Sequence, residues 1–434
     1  MILIYLIINT FICLFLYLLI LTFMKDNLLY YLSFSHFLGI GPMKFAALKK
    51  HFGSAKKAYL ADKKEFLEVV GVSLTERFID FRNKFDSVKK LDELKRKNIA
   101  VLTVDSDDYP ESLKNISDPP ICLYVKGNFN VIARSPSTLL RVNSATKQSP
   151  KDSVGPIFIT RESHHPASRD GPLESEKIIP TSSFKIFFAI VGTRNPTSYG
   201  IQVARKFAYE LATAGFIIVS GMAYGIDTIA HQSCLDAGGK TIAVLGCGVD
   251  IVYPAANRNL YEKIIEFGGA VVSEFPPGQF VLKGLFVARN RIISALSHGV
   301  MIVEGAKDSG SLITARYAAE QGKDVFAPPS PITSDMSAAP NLLLKQGAKL
   351  VTTVEDIYEE FDMKITPKKK EDILEKLSKE EKEIFILLNE KPQLIDNLLF
   401  KLKKPINQVL NILSLMEING VVEKNNENKY QIRL

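Results

Sequence analysis

The stretch Phe187-Phe188-Ala189-Ile190-Val191-Gly192-Thr193-Arg194-Asn195-Pro196 decides how this chain is read. An unbroken apolar run ends in a glycine, and a helical pattern begins near Tyr199-Gly200. An apolar run this short and this continuous reads as a strand covered on both faces. The same pattern returns downstream. Apolar runs at 216–220, 241–245, 270–274, 300–304, 324–327 and 349–351 alternate with helical stretches. That alternation predicts an α/β domain over 184–361, a Rossmann-like, doubly wound and mostly parallel sheet.

Where such a strand turns into a helix, free N–H groups and the helix dipole favour an anion. Gly192 and Thr193 form the first of these turns, and Arg194 adds a guanidinium that can grip a phosphate with two N–H groups. The other reading is an ordinary tight turn with a surface arginine. A second glycine-punctuated turn runs Ser220-Gly221-Met222-Ala223-Tyr224-Gly225-Ile226-Asp227. Asp227 and His231, four residues apart, share a helix face: either an acid–base pair, or a capping carboxylate and a structural histidine. Lys283, Phe286 and Arg289-Asn290-Arg291 open a further helix. Asp308-Ser309-Gly310-Ser311 caps another, again offering N–H groups. Ligands of open parallel sheets bind at the strand C-termini. Several cationic and N–H sites in one crevice suit a polyanion such as single-stranded nucleic acid. Phe286 is either a stacking surface for a base or a core residue.

Two other glycine strings lead nowhere. Leu245-Gly246-Cys247-Gly248 starts like a dinucleotide fingerprint, but Ile251 stands at the third glycine position. Gly238-Gly239-Lys240-Thr241 mimics the end of a Walker A loop, but its lysine leads into a strand rather than out of one. No cofactor and no metal is expected.

Around this core the 434 residues divide into a hydrophobic segment (1–24), a helical region (25–90), a first part of the sheet domain (91–133) and an insertion rich in Ser, Pro and Thr (134–183). A charged linker (362–377) and a C-terminal module (378–434) follow the core. The first segment is uncharged through Met24 and long enough to cross a bilayer, so it is either a membrane anchor or an upstream extension of a protein starting at Met24. In the helical region, the turns at Gly39-Ile40-Gly41 and Val70-Gly71-Val72 have helix-hairpin-helix spacing, which serves DNA or pure packing. The insertion reads as disordered, and its His164-His165 as a solvated pair. The last module reads as three helices and a hairpin, a winged helix whose third helix carries no Arg or Lys.

A hydrophobic share of 46% excludes a disordered chain, and four cysteines without a CxxC pair exclude a disulfide scaffold and fit buried thiols in a reducing compartment. The net charge of +7 is compatible with a nucleic-acid partner.

Taken together, the strings around Gly192–Arg194, Gly221–Asp227 with His231, Arg289–Ile293 and Asp308–Ala315 resemble the DNA-processing protein A family (DprA, also called Smf). The resemblance spans 28–434 apart from the insertion. It implies a cytoplasmic single-stranded DNA-binding protein of natural transformation. Such a protein protects incoming DNA, loads a RecA-type recombinase and works as a homodimer without catalysis. Arg194, Lys283, Arg289 and Arg291 are the implied DNA contacts. The chain departs from the family pattern in its hydrophobic start and its insertion. Val287 stands where a proline usually precedes the Arg-Asn-Arg string, and Pro329 and Pro340 lie in a loop that normally uses glycines. The competing reading, from another class, is a nucleotide-processing enzyme with Glu304 or the Asp227–His231 pair as acid or base.

Overall fold

The structure, a computed structural model, describes residues 27–132, 185–361, 377–418, 421–425 and 428–432. The expectations for residues 1–24, for the insertion at 134–183 and for most of the linker fall outside these. The chain up to Glu360 forms one compact unit, and the chain from Phe361 a second.

In the first unit six helices precede the sheet: α1 (27–36), α2 (Pro42–Phe52), α3 (Ala55–Leu60), α4 (Lys63–Val70), α5 (Val72–Lys84) and α6 (Ser87–Arg96). Their core is aromatic. The ring of Phe78 stacks between Phe34 and Phe66, with centroids 5.1 and 4.6 Å away, and all three are fully buried. The two hairpin turns pack on each other. A Cβ on Gly39 would sit 2.7 Å from Leu74, so only glycine lets the first turn approach α5. Polar ties join the helices to the sheet: Tyr31 Oη and Lys49 Nζ both donate to the Asp105 carboxylate, and Ser35 Oγ lies 2.9 Å from Tyr124 Oη.

The sheet begins with β1 (Ile99–Thr103), followed by α7 (Glu111–Lys114) and β2 (Cys122–Gly127). After the insertion come β3 (Phe187–Val191), α8 (Ser198–Thr213), β4 (Ile217–Ser220), α9 (Ile226–Asp236) and β5 (Thr241–Val244). Then follow α10 (Arg258–Glu266), β6 (Ala270–Ser273), α11 (Lys283–Leu296), β7 (Gly299–Ile302) and α12 (Gly310–Glu320). The unit closes with β8 (Asp324–Ala327), α13 (Ala338–Lys345), β9 (Lys349–Leu350) and α14 (Glu355–Glu360). The seven predicted strands of the core are all present, with bounds shifted by a residue or two.

The nine strands lie in the order β1-β2-β6-β5-β4-β3-β7-β8-β9. Pairing is parallel from β6 through β9, and antiparallel where β2 meets β6 and β1. The chain steps outward from β3 to β6, returns along α11 past β5, β4 and β3, and restarts at β7 on the other side of β3. The winding therefore reverses between β3 and β7, and the carboxyl ends of these two strands are the place where such sheets bind ligands. Strands β4, β5, β6 and β7 are buried along their whole length, which explains their unbroken apolar sequence.

In the second unit α15 (Lys379–Glu390), α16 (Ile395–Leu402) and α17 (Ile406–Ile418) precede an antiparallel hairpin of β10 (Val422–Lys424) and β11 (Tyr430–Ile432). Ser378 and Glu381 close a capping box at α15, and Phe385, Leu398, Leu413 and Met416 fill the core. Among the described residues no helix is long and apolar enough to cross a membrane.

Candidate functional site

At the reversal point the first glycine turn is drawn tight from three sides. Thr193 N–H donates to the Glu304 carbonyl at 2.8 Å, and the Thr193 carbonyl accepts from Ile226 N–H at 3.2 Å. A Cβ on Gly192 would lie 2.7 Å from Ile226, and one on Gly225, whose φ is +76°, would lie 2.4 Å from the Thr193 carbonyl. Both glycines are there for close approach. The N-terminus of α8 holds an anion already. The buried Glu304 carboxylate accepts from Thr197 N–H at 2.9 Å and from Thr197 Oγ1 at 2.5 Å. A Cβ on Gly200 would overlap that carboxylate at 2.1 Å. Two of the donors that the sequence offered to a phosphate are thus taken within the protein: the Thr193 N–H by the Glu304 carbonyl and the Thr197 N–H by the Glu304 carboxylate.

The second turn is likewise closed. Gly221 N–H and Ala223 N–H donate to Asp227 Oδ2 at 3.1 and 3.3 Å. Arg289, 4% exposed, donates through Nη1 to the carbonyls of Gly221, at 2.6 Å, and Val244. Its guanidinium thus braces the carboxyl ends of β4 and β5. Burial pushes its pKa down to about 10, an effect opposed by the Asp227 carboxylate. Burial raises the pKa of Asp227 in turn, opposed by Arg289 and the two N–H groups. His231 is fully buried with Nδ1 2.7 Å from Thr241 Oγ1, and burial drives its pKa down to about 3. Gly221 and Arg289 therefore have structural partners where the sequence suggested phosphate, and Asp227 caps its loop.

On α11 the three neighbouring residues Arg289, Asn290 and Arg291 diverge. Arg291, 3% exposed, makes a forked pair with Glu274 at 2.7 and 2.8 Å. It also donates to Asp118 Oδ2, to the Asp118 carbonyl and to the Ala288 carbonyl. These partners account for the five donors a guanidinium has, so none remains for a phosphate. The expectation for Arg291 is corrected: it ties α11 to β6 and to the segment before β2. Asn290 Nδ2 reaches the Gly310 carbonyl at 3.4 Å, toward the start of α12. There Ser309 N–H donates to Ala306, and Ser309 Oγ accepts from Ser311 N–H at 3.3 Å and lies 2.8 Å from Ser311 Oγ. The Gly310 N–H of this turn is exposed.

What remains open is a cluster at the rim. Arg194 is exposed and makes no ion pair among the described residues. Its guanidinium stands over the half-buried ring of Phe286 at 5.7 Å. Phe286 rests on Gly246, where a Cβ would sit 3.0 Å from the ring. Tyr253 lies beside it, centroids 5.4 Å apart and planes tilted 43°. Lys283, exposed at the first position of α11, sits one turn before Phe286. The structure thus brings Arg194 and Phe286 together from positions 92 apart in sequence, beside the start of α11. Sequence reading missed Tyr253, which stands in the largely apolar run Val249-Asp250-Ile251-Val252-Tyr253-Pro254 and carries no local signal of its own. It also missed Glu274 as the partner of Arg291.

The three described cysteines are buried and free, and burial pushes Cys234 and Cys247 up to about 12 and 11. Among the described residues no cluster of His, Cys, Asp or Glu is arranged to hold a metal ion.

Comparison with known proteins adds the family. Residues 181–362 match the family described as DNA recombination-mediator protein A. Protein Smf of Synechocystis is 36% identical over 325 residues, which cover 74% of this chain and 69% of that protein. DNA processing protein DprA of Bacillus subtilis is 35% identical over 267 residues, covering 62% of this chain and 73% of that protein. The X-ray structure of DNA processing protein A from Streptococcus pneumoniae superposes with a TM-score of 0.57 at 29% identity, covering 76% of this chain and 96% of that one. By its motifs, its sheet order and these relatives, the chain belongs to the DNA recombination-mediator protein A (DprA/Smf) family.

Proposed function

We propose that the protein binds single-stranded DNA along the carboxyl edge of its sheet, protects it, and passes it to a RecA-type recombinase in natural transformation. It acts as a cytoplasmic homodimer and without catalysis. The observation that carries this reading is the Arg194–Phe286 pair: an exposed guanidinium without an ion-pair partner among the described residues, set 5.7 Å from an aromatic ring. A cation beside a ring suits a phosphate and the base attached to it. Lys283 and the Gly310 N–H extend the phosphate track, with Asn290 next to it. Names of the relatives, such as DNA processing protein, support the same role.

The nucleotide-processing alternative needs a free acid or base. Glu304 is held by Thr197, Asp227 by Gly221 and Ala223, and His231 is fully buried. The test is a titration of the full chain with labelled oligothymidine and with duplex of equal length at two salt concentrations. Preference for the single strand, lost in Arg194→Ala, supports the proposal. Equal binding of both, or binding indifferent to Arg194, overturns the site. Release of free base from nucleotides would restore the enzyme reading.

A further inference from the structure

We infer that Tyr253 is a second base-stacking residue, which widens the Phe286 ring into a two-ring surface for consecutive unpaired bases; this rests on the single-strand reading above. Tyr253 is 42% exposed, and its hydroxyl has no hydrogen bond among the described residues. An aromatic side chain left this open on a flexible loop would be unremarkable. Here the loop is held at four points. Gly248 N–H donates to the Gln279 carbonyl at 2.9 Å, and Asp250 Oδ1 accepts from Gly278 N–H at 2.8 Å. Asn257 Nδ2 donates to the Met222 carbonyl at 2.9 Å, and Tyr261 Oη to the Val249 carbonyl at 2.5 Å. The loop that carries the ring is thereby held before any ligand arrives, which lowers the ordering cost of binding. Its neighbour Phe286 carries Arg194 near its face, so a base next to the Arg194-bound phosphate meets Phe286 and the following base meets Tyr253. Every base has a π face, so the surface is tolerant of sequence and requires bases that are not paired.

The chain has no tryptophan, so Tyr253→Trp places its one tryptophan at the site, to be excited apart from the tyrosines. In the full chain we expect oligothymidine to quench that fluorescence, and an abasic oligonucleotide of equal length to leave it unchanged. Tyr253→Ala should weaken oligothymidine binding roughly five- to a hundredfold, Tyr253→Phe should bind like the wild type, and neither should alter the abasic affinity. Undiminished oligothymidine binding by Tyr253→Ala, or quenching that is the same with the abasic strand, overturns the inference and leaves the single-strand reading standing. A wild-type protein that fails to bind oligothymidine overturns both.

Discussion

The carboxylate of Glu304, at the end of β7, caps the start of α8 through Thr197, with hydrogen bonds of 2.9 and 2.5 Å. A helix N-terminus at the reversal point of a doubly wound sheet would otherwise be the place for a ligand phosphate. Here that positive end already carries a carboxylate of the protein's own.

Because a Cβ at position 200 would overlap the Glu304 carboxylate, the pair depends on that glycine. Glu304→Ala should lower the unfolding free energy by about 1–3 kcal/mol, since it leaves part-buried donors of Thr197 without their acceptor. Urea unfolding measures this. The folded fraction of Glu304→Gln should still bind oligothymidine; loss of binding at full folding would mean that Glu304 belongs to the ligand site.

Arg291 and Glu274 form a buried forked pair, and breaking one side strands a charge. Arg291→Ala is expected to cost about 3–5 kcal/mol in urea unfolding. Arg291→Lys keeps the charge, loses the fork, and should fall between wild type and alanine. An alanine variant as stable as the wild type would contradict the bracing role.

Single-strand affinity falls with salt by about 0.7 logarithmic units per neutralised phosphate. Arg194→Ala should flatten a plot of log affinity against log salt by about that amount, and Lys283→Ala likewise. Arg291→Lys should leave the slope at the wild-type value. An unchanged slope in both Arg194→Ala and Lys283→Ala would remove them from the phosphate track.

Burial keeps three histidines neutral: the pKa of His231 falls to about 3, that of His36 to about 4, and that of His298 is also lowered. The unfolded chain takes up these protons below its ordinary histidine pKa of about 6.5, and the folded chain does not. Stability should therefore be full above that value and fall as the pH drops toward 4, by up to about 1.4 kcal/mol per pH unit for each histidine. Asp227, raised by burial, acts in the opposite direction. Urea midpoints at pH 7, 6 and 5 test the slope, and His231→Asn should flatten it. A midpoint that does not move between pH 7 and 5 would refute this account.

The doubly wound sheet was legible because its strands are buried on both faces, and such burial writes itself locally as short apolar runs between helices. The glycine turns were legible for a similar reason: close approach at Gly192 and the left-handed backbone at Gly225 are demands on single positions. Arg194, Arg289 and Arg291 look alike in sequence, and only the tertiary structure separates them. One stands at the rim over Phe286, one braces the ends of β4 and β5, and one is used up by Glu274, Asp118 and Ala288. A guanidinium's role depends on which carbonyls and carboxylates face it, and those partners lie on strands and loops distant in the chain. The same holds for Tyr253, whose place beside Phe286 arises from the packing of the loop after β5 against α11. Long-range packing, which no local pattern records, decided which of the expected cations remained free to meet a ligand.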